Sequence, residues 1–579
     1  MKKLIIIAVT SLLLILTACD NGNVKQIVVN TPANGAKETA VVNETENPHY
    51  SESASETEAA TPEITEIPTE VPTEAPTEAP TAAPTEAPTA TPTPKPTATP
   101  KPTAKPTEKP DPNVDPSIAE PSGNKASGIY DTGFSLTLTA DGTIYYTTDG
   151  SKPTTSSIKY TGPINVSKTM SIRAITGKNG GVSDEKKFNY VIDKAHSIPV
   201  MTVTIDKAKR DKVINNINED YEEQALVTLF ENGEVKFSQG CGFCLSGNVG
   251  GSRGNDDGRT VKQNFAIKFK NKFGKGKLHY KLFDNLEYEE YDAFVLNGGS
   301  ERWDSNACID VLFANMMFGK TSMAVPATRP VALYVGGDYW GMYFIKEKMN
   351  AAYAETHTGV PKEKVNVVKY FYECLDGSLN DILNLYDYCK AHKAECNNDI
   401  YYNYVINKID YDALVDWYIV RTFSGDRDFA NHKMYMSTAY DSKWHLMFFD
   451  MDWAFCNTGN VMYTYQNCED PILDFLKGNK KFQDKFLRRS NELLKGALSE
   501  SYINGHIDKL YNQMKDEMPR NQARWGLSMA DWTSGMQTMR NYIKGNRRRT
   551  EVLQAYESYF GTFLKESGKT MKDYFPDFY

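Results

Sequence analysis

Ser424-Gly-Asp-Arg-Asp-Phe-Ala-Asn-His-Lys-Met-Tyr-Met436, with Lys443-Trp-His-Leu-Met-Phe-Phe-Asp-Met-Asp-Trp453 close behind, marks the point where the chain changes character. Just ahead of it, Leu414, Val415, Tyr418, Ile419 and Thr422 recur near helical spacing, so Asp410 to Phe423 reads as a helix. A polar loop carrying carboxylates and an amide follows, and then a strand pair with Asp450 at its end. Upstream the pattern is that of strands: Ile198 to Ile205, Ala225 to Glu231 and Phe265 to Lys270. The pair Arg329 to Val335 and Tyr339 to Lys346 is joined through Gly336-Gly337-Asp338. Downstream, segments 481–496, 503–518 and 533–560 are amphipathic with helical period. Strands first and helices later predict an α+β domain with two lobes over residues 197–579.

Residues 118–193 form a separate reading. Phe134-Ser-Leu-Thr-Leu-Thr alternates apolar and polar, and Ile144-Tyr-Tyr-Thr-Thr runs into the turn signal Asp149-Gly150. Ile164-Asn-Val-Ser and Met170-Ser-Ile-Arg-Ala-Ile continue the alternation, which predicts a small all-β antiparallel sandwich. Tyr145-Tyr-Thr-Thr-Asp-Gly-Ser-Lys-Pro-Thr155, followed by Tyr160-Thr-Gly-Pro-Ile164, resembles the chitobiase/β-hexosaminidase C-terminal-like module, also called the Fn3-associated domain. That resemblance implies a spacer or a sugar-binding accessory, with no chemistry of its own.

The N-terminus carries an address. Met1-Lys2-Lys3 is basic, and Leu4 to Leu16 is apolar but too short to span a bilayer, which takes roughly 20 residues. Leu16-Thr17-Ala18-Cys19 resembles the lipobox of bacterial lipoproteins. The resemblance implies a signal peptide over 1–18, lipid such as palmitate on Cys19, and an extracytoplasmic protein anchored to the bacterial cell membrane. Residues 19–117 lack the apolar content for a core. From Thr61 to about Pro116 they repeat Pro-Thr-Glu-Ala-Pro-Thr and Pro-Thr-Pro-Lys-Pro-Thr, which predicts a disordered Pro/Thr stalk. About 55 such residues at ~3.1 Å each could reach on the order of 170 Å.

Composition sets further bounds. The net charge of −9 gives no basic footprint for nucleic acid. Besides Cys19 there are Cys241, Cys244, Cys308, Cys374, Cys389, Cys396, Cys456 and Cys468, an even set that permits disulfides outside the cytoplasm. Cys241-x-x-Cys244 has no second CxxC to complete a zinc site.

The chemistry gathers in the opening stretch. Magnesium is a hard cation that binds through one or two carboxylates plus substrate phosphates. Asp and Asn a few residues apart, with another Asp at the end of a strand, supply that set. The spacing Asp426-x4-Asn431 equals that of the protein-kinase catalytic loop, where Asp is the base and Asn holds metal. Asp450 or Asp452 would then correspond to the metal-binding Asp that follows. Read residue by residue, each of these can equally make a turn.

The domain resembles the spore coat protein H (CotH) kinase family, an atypical secreted protein-kinase-like fold. The resemblance rests on Arg253-Gly254-Asn255 with Lys262-Gln-Asn-Phe-Ala-Ile-Lys268-Phe269, and on Asp304-Ser305. It extends through Val331-Ala-Leu-Tyr-Val-Gly-Gly-Asp-Tyr-Trp-Gly341 to Glu347, then Asp426 to Asn431 and Phe449-Asp450-Met-Asp452. Asp256-Asp257 stand where the family commonly has Ser-Ser, and Gly336 replaces the Asn of its usual turn. The resemblance implies transfer of phosphate from ATP, with Mg2+, to a protein Ser/Thr hydroxyl. Asp426 would be the catalytic base, with Asp428 as the alternative register, and Asn431, Asp450 and Asp452 would hold metal. Lys268 would meet the nucleotide phosphates, supported by Lys262, Arg253 and Gly254, and Glu347 would close a hinge or stand at the surface. The implied partner is a protein substrate at the cell surface, with cell-wall, plant or host polysaccharide as a further class. The alternative is a non-catalytic adhesin or scaffold using the same fold.

Overall fold

A computed structural model describes residues 113–579 apart from 219, 249–252, 255–260, 306, 427, 429–430 and 457–458. Cys19, the signal segment, nearly all of the Pro/Thr stalk, and Asp256-Asp257 lie outside the described residues. Among the described residues no helix is long and apolar enough to cross a membrane.

The first sheet is six-stranded. Its order is Gly128–Tyr130, Lys186–Ile192, Met170–Lys178, Thr143–Thr147 and Ile158–Lys159, with Gly181–Val182 paired to Met170–Lys178. Phe134–Leu136 pairs with Ile164–Val166 beside it. Leu136, Val166, Ile172, Ala174, Phe188 and Tyr190 point inward and are buried together, as their alternation requires. The Asp149-Gly150 turn presses on the next domain: a Cβ on Gly150 would stand 2.3 Å from the Thr204 carbonyl, so only glycine fits.

Seven strands then close a barrel. They are β1 (Val200–Thr204), β2 (Glu222–Glu231), β3 (Glu234–Leu245), β4 (Phe265–Lys268), β5 (Ala293–Asn297), β6 (Thr328–Val335) and β7 (Asp338–Glu347). The order is β1-β2-β3-β4-β5-β7-β6, and β6 returns to β1 in the one parallel pairing. Side chains alternate across the wall. Phe265, Ile267, Tyr343 and Ile345 fill the interior. Met342 and Phe344 face outward and join the core of the helical region. Lys346, two residues on, therefore also faces that region.

The helical region includes α1 (Ile309–Met317), α2 (Tyr411–Ser424), α3 (Lys480–Lys495), α4 (Glu500–Met514), α5 (Met518–Trp525), α6 (Met529–Ile543) and α7 (Arg547–Tyr559). A four-stranded sheet sits among them: β8 (Asn366–Lys369), β9 (Glu373–Asp376), β10 (Lys433–Met436) and β11 (His445–Leu446), ordered β9-β8-β10-β11. The fold is α+β, β-rich first and helical later. Segment 533–560 is not one helix. Gly545 at φ 65° and Asn546 at φ 58° adopt left-handed backbone and break it into α6 and α7. Cys241, Cys244, Cys308, Cys374, Cys389, Cys396 and Cys468 carry free thiols. Cys241 faces the barrel interior. Cys244, three residues along the strand, faces the opposite side.

Candidate active site

Helix α2 delivers the loop. Asp410 caps its start by accepting from the Ala413 amide, and Gly425 at φ 67° ends it and turns the chain into residues 426–431. The helix is buried along almost its whole length, and Arg421 on it is 1% exposed. Its guanidinium lies over the Trp417 ring and forms an ion pair with Asp426 at 2.8 Å. It also donates to the carbonyls of Asp428 (3.0 Å), Asn431 (2.9 Å), Phe449 (3.1 Å) and Asp450 (3.0 Å). One side chain thus ties the 426–431 loop to the 449–450 segment.

This decides between the two carboxylates. Asp426 is fully buried, paired with Arg421, and accepts from the Asp428 amide at 2.8 Å. Burial pushes its carboxyl up to about 7, against the pull of Arg421. Its carboxylate braces the loop. Asp428 is exposed, and the Asn431 side-chain amide donates to it at 2.7 Å. Surrounding protein raises its carboxyl, with Arg421 and Asn431 pulling the other way. Asp426, the base expected from the spacing, is thus buried against Arg421, and Asp428, the alternative, is the exposed carboxylate of the two.

Asp450 has φ 59°, a left-handed conformation unusual outside glycine. Its carboxyl is raised by burial and then by the negative charges of Asp310 and Asp428, while Arg421 and Lys346 oppose. Asp452 is buried and raised well above the usual carboxylate range, by burial and then by Asp450 and Asp310. Asp310, on α1, pairs with Lys346 of β7 and accepts from the Met451 amide at 3.1 Å. It links barrel, helix and the Asp450 segment. Neither Asp310 nor Lys346 stands out in the sequence; Lys346 is traceable only through the outward register of Met342 and Phe344.

Crowded carboxylates that repel one another describe a place suited to a cation. The donors are Asp428, Asp450 and the amide oxygen of Asn431, whose nitrogen is committed to Asp428. Such an all-oxygen set fits magnesium, which completes its shell with phosphate and water. Among the described residues no three His, Cys, Asp or Glu side chains form a cage of their own.

Opposite this acidic group is a basic one. Lys369 of β8 and Lys433 of β10 are direct cross-strand partners, both buried. Like charges in that position destabilise a sheet. Lys433 stands 4.0 Å from the Phe449 ring centroid, and its ammonium donates to the Met349 carbonyl at 3.3 Å. Burial and then the charge of Lys369 push it down to about 7, with Lys346 and Lys348 adding to the repulsion. Lys369 reaches Asn248 at 3.0 Å and lies over Tyr370. Lys348 is also lowered, by burial and then by Lys268.

The lysines chosen from sequence fall elsewhere. Lys268 sits at the barrel rim, 3.8 Å from Glu222. Lys262 is 2% exposed and donates to the Met342 carbonyl at 2.7 Å and to Asn521 of α5 at 3.1 Å. It is a buried strut between barrel and helix. Arg253 pairs with Asp220 at 2.5 Å. Gly254 has φ 101°, a conformation that favours glycine, but the loop beyond it is not described. Glu347 is not a surface charge: it is buried, 2.9 Å from His357, and accepts from the Ala327 amide at 2.8 Å.

The class defined here is a mixed α+β protein with paired acidic and basic groups between a barrel and a helical region. Residues 251–550, more than half of the chain, match the CotH kinase protein family, and the chain belongs to that family. Residues 125–188 match the chitobiase/β-hexosaminidase C-terminal domain. No curated protein matches the chain.

Proposed function

We propose that this chain is an extracytoplasmic, lipid-anchored atypical protein kinase that moves the γ-phosphoryl group of ATP to a protein Ser or Thr hydroxyl. The barrel serves as one lobe and the helical region as the other. The observation that carries the reading is the facing of two groups of opposite charge. Lys346, Lys348, Lys369 and Lys433 suit a polyphosphate, and Asp428, Asn431 and Asp450 suit the metal that accompanies it.

Asp428 takes the proton of the acceptor hydroxyl as its oxygen bonds to phosphorus, and the bond to the ADP oxygen breaks. The raised Asp428 carboxyl makes it a better base than a free aspartate. Arg421 holds the backbone beneath both acidic segments, so the carboxylates keep their spacing. The lysines neutralise phosphate charge and are in turn relieved of their mutual repulsion. Magnesium bound at Asn431 and Asp450, with Asp452 beside them, would offset the charge that develops between the β- and γ-phosphates. Export, the lipid on Cys19 and the Pro/Thr stalk complete the reading: a catalytic domain held away from the membrane.

The test is phosphate transfer by the purified chain from labelled ATP with magnesium. Asp428→Asn is expected to lower turnover by about 10²–10⁴-fold with the melting temperature retained. Asp450→Ala is expected to abolish labelling. Equal labelling by all three proteins would remove the kinase reading. ATP-dependent stabilisation without transfer would favour a binding scaffold.

A further inference from the structure

We propose that the lysines at the barrel rim form a docking surface for an acidic, Asp/Glu-rich segment of the acceptor protein. The word acceptor rests on the kinase reading above; the surface itself does not. Lys268, Lys270 and Lys272 gather round one carboxylate, that of Glu222, at 3.8, 2.8 and 3.1 Å. Gly242 allows this: a Cβ there would lie 2.6 Å from the Glu222 carboxyl carbon, so only glycine lets Glu222 cross β3 to reach them. Lys270 and Lys272 keep 45% and 61% of their side chains exposed. Lys275 is exposed and, among the described residues, has no carboxylate within ion-pair distance.

The positive charge does not stop at the rim. Lys268 is close enough to Lys348 to depress it. Glu222 serves all three rim lysines. Three lysines around one carboxylate leave a local excess of positive charge at the rim, on a chain whose net charge is −9. A polyanion laid along the rim would be led toward the phosphate-transfer residues.

An acidic polypeptide fits better than an anionic membrane. Surfaces that settle on lipid pair basic groups with apolar side chains that enter the bilayer. Among the described residues, no large hydrophobic side chain from 262 to 282 is exposed, and the nearest in sequence that is exposed is Val261.

The experiment uses the full chain and two labelled peptides of equal length, one rich in Asp and Glu and one neutral, read by fluorescence anisotropy. The acidic peptide is expected to bind more tightly, to weaken as salt rises, and to lose about tenfold in affinity in Lys270→Glu/Lys272→Glu. Lys270→Gln/Lys272→Gln, which places no new acid beside Glu222, is expected to lose less, in the same direction. In the kinase assay the same variants should raise the KM for an acidic acceptor and leave the KM for ATP in place. Equal binding of the two peptides, or no effect of either variant, overturns the proposal. Binding to phosphatidylglycerol vesicles in place of the peptide also overturns it. Lysine-dependent peptide binding without any phosphate transfer would sink the kinase reading and leave the docking surface standing.

Discussion

Arg421→Met is the most informative perturbation, because so much of the site hangs on one guanidinium. Methionine can keep the apolar stem over Trp417 while removing every donor. Four backbone carbonyls and the Asp426 carboxylate, all within 2.8 to 3.1 Å, then lose their shared partner. Removing one member of a buried charged network costs about 3–5 kcal/mol, mostly because the groups left behind are desolvated and unmatched. Residues 197–579 are about 380 residues, and at about 2.1 cal/mol/K each the unfolding entropy is ~0.8 kcal/mol/K. The melting temperature should fall by roughly 4–6 °C. Arg421→Lys should recover only part of this, since an ammonium is a point charge and cannot span five acceptors. Calorimetry gives the global number. Hydrogen exchange gives the local one: amides in 424–436 and 446–455 should exchange faster than those of the barrel. If Arg421→Met melts within about 1 °C of the parent, or if only barrel amides respond, the tether argument fails.

Three further outcomes are expected. Lys433→Met removes one of two opposed lysines, so the unliganded protein should gain up to about 1 kcal/mol while the rise in melting temperature induced by ATP shrinks; an unchanged ATP response would remove Lys433 from the phosphate-binding group. Lys262, buried between barrel and α5, is pushed down to about 7, below its unfolded value near 10.5. The unfolded chain therefore binds the extra proton between those values, and the stability of the parent relative to Lys262→Met should climb as pH rises from about 7 to about 10. A flat difference across urea titrations in that range would contradict the burial argument, and a loss of turnover in Lys262→Met would return Lys262 to the site. Cys19→Ser is expected to move the protein from the membrane fraction to the soluble fraction and to abolish palmitate labelling; retention in the membrane would refute the lipid anchor.

Strand alternation puts Phe265, Ile267, Tyr343 and Ile345 inside the barrel and leaves the intervening positions to face other parts of the protein. Where those positions carry lysine, charge is offered to whatever lies across from it. On β7 that is Asp310 of α1, and at the rim of β4 it is Glu222 and solvent.

Local order settled a good deal from the sequence. The alternation in 134–139 and 170–175 gave strands, the 3.6-residue recurrence in 410–423 gave a helix, and the two family resemblances followed from short motifs. These are properties of neighbouring residues, and neighbours in the chain are what a sequence displays. The break at Gly545-Asn546 was not seen, because a helix can carry a glycine and only the backbone conformation shows that this one does not. What the tertiary structure alone decided was the partner of each charged group. The spacing to Asn431 favours Asp426 over Asp428, but the Arg421 side chain, inside a helix buried almost throughout, claims the first and leaves the second exposed. Lys268 looks like a phosphate ligand by its motif, yet Lys369 and Lys433, which face each other across a ladder from distant parts of the chain, are the ones held beside the carboxylates. Charge acts through space, and the distances that set its strength exist only once the chain has folded.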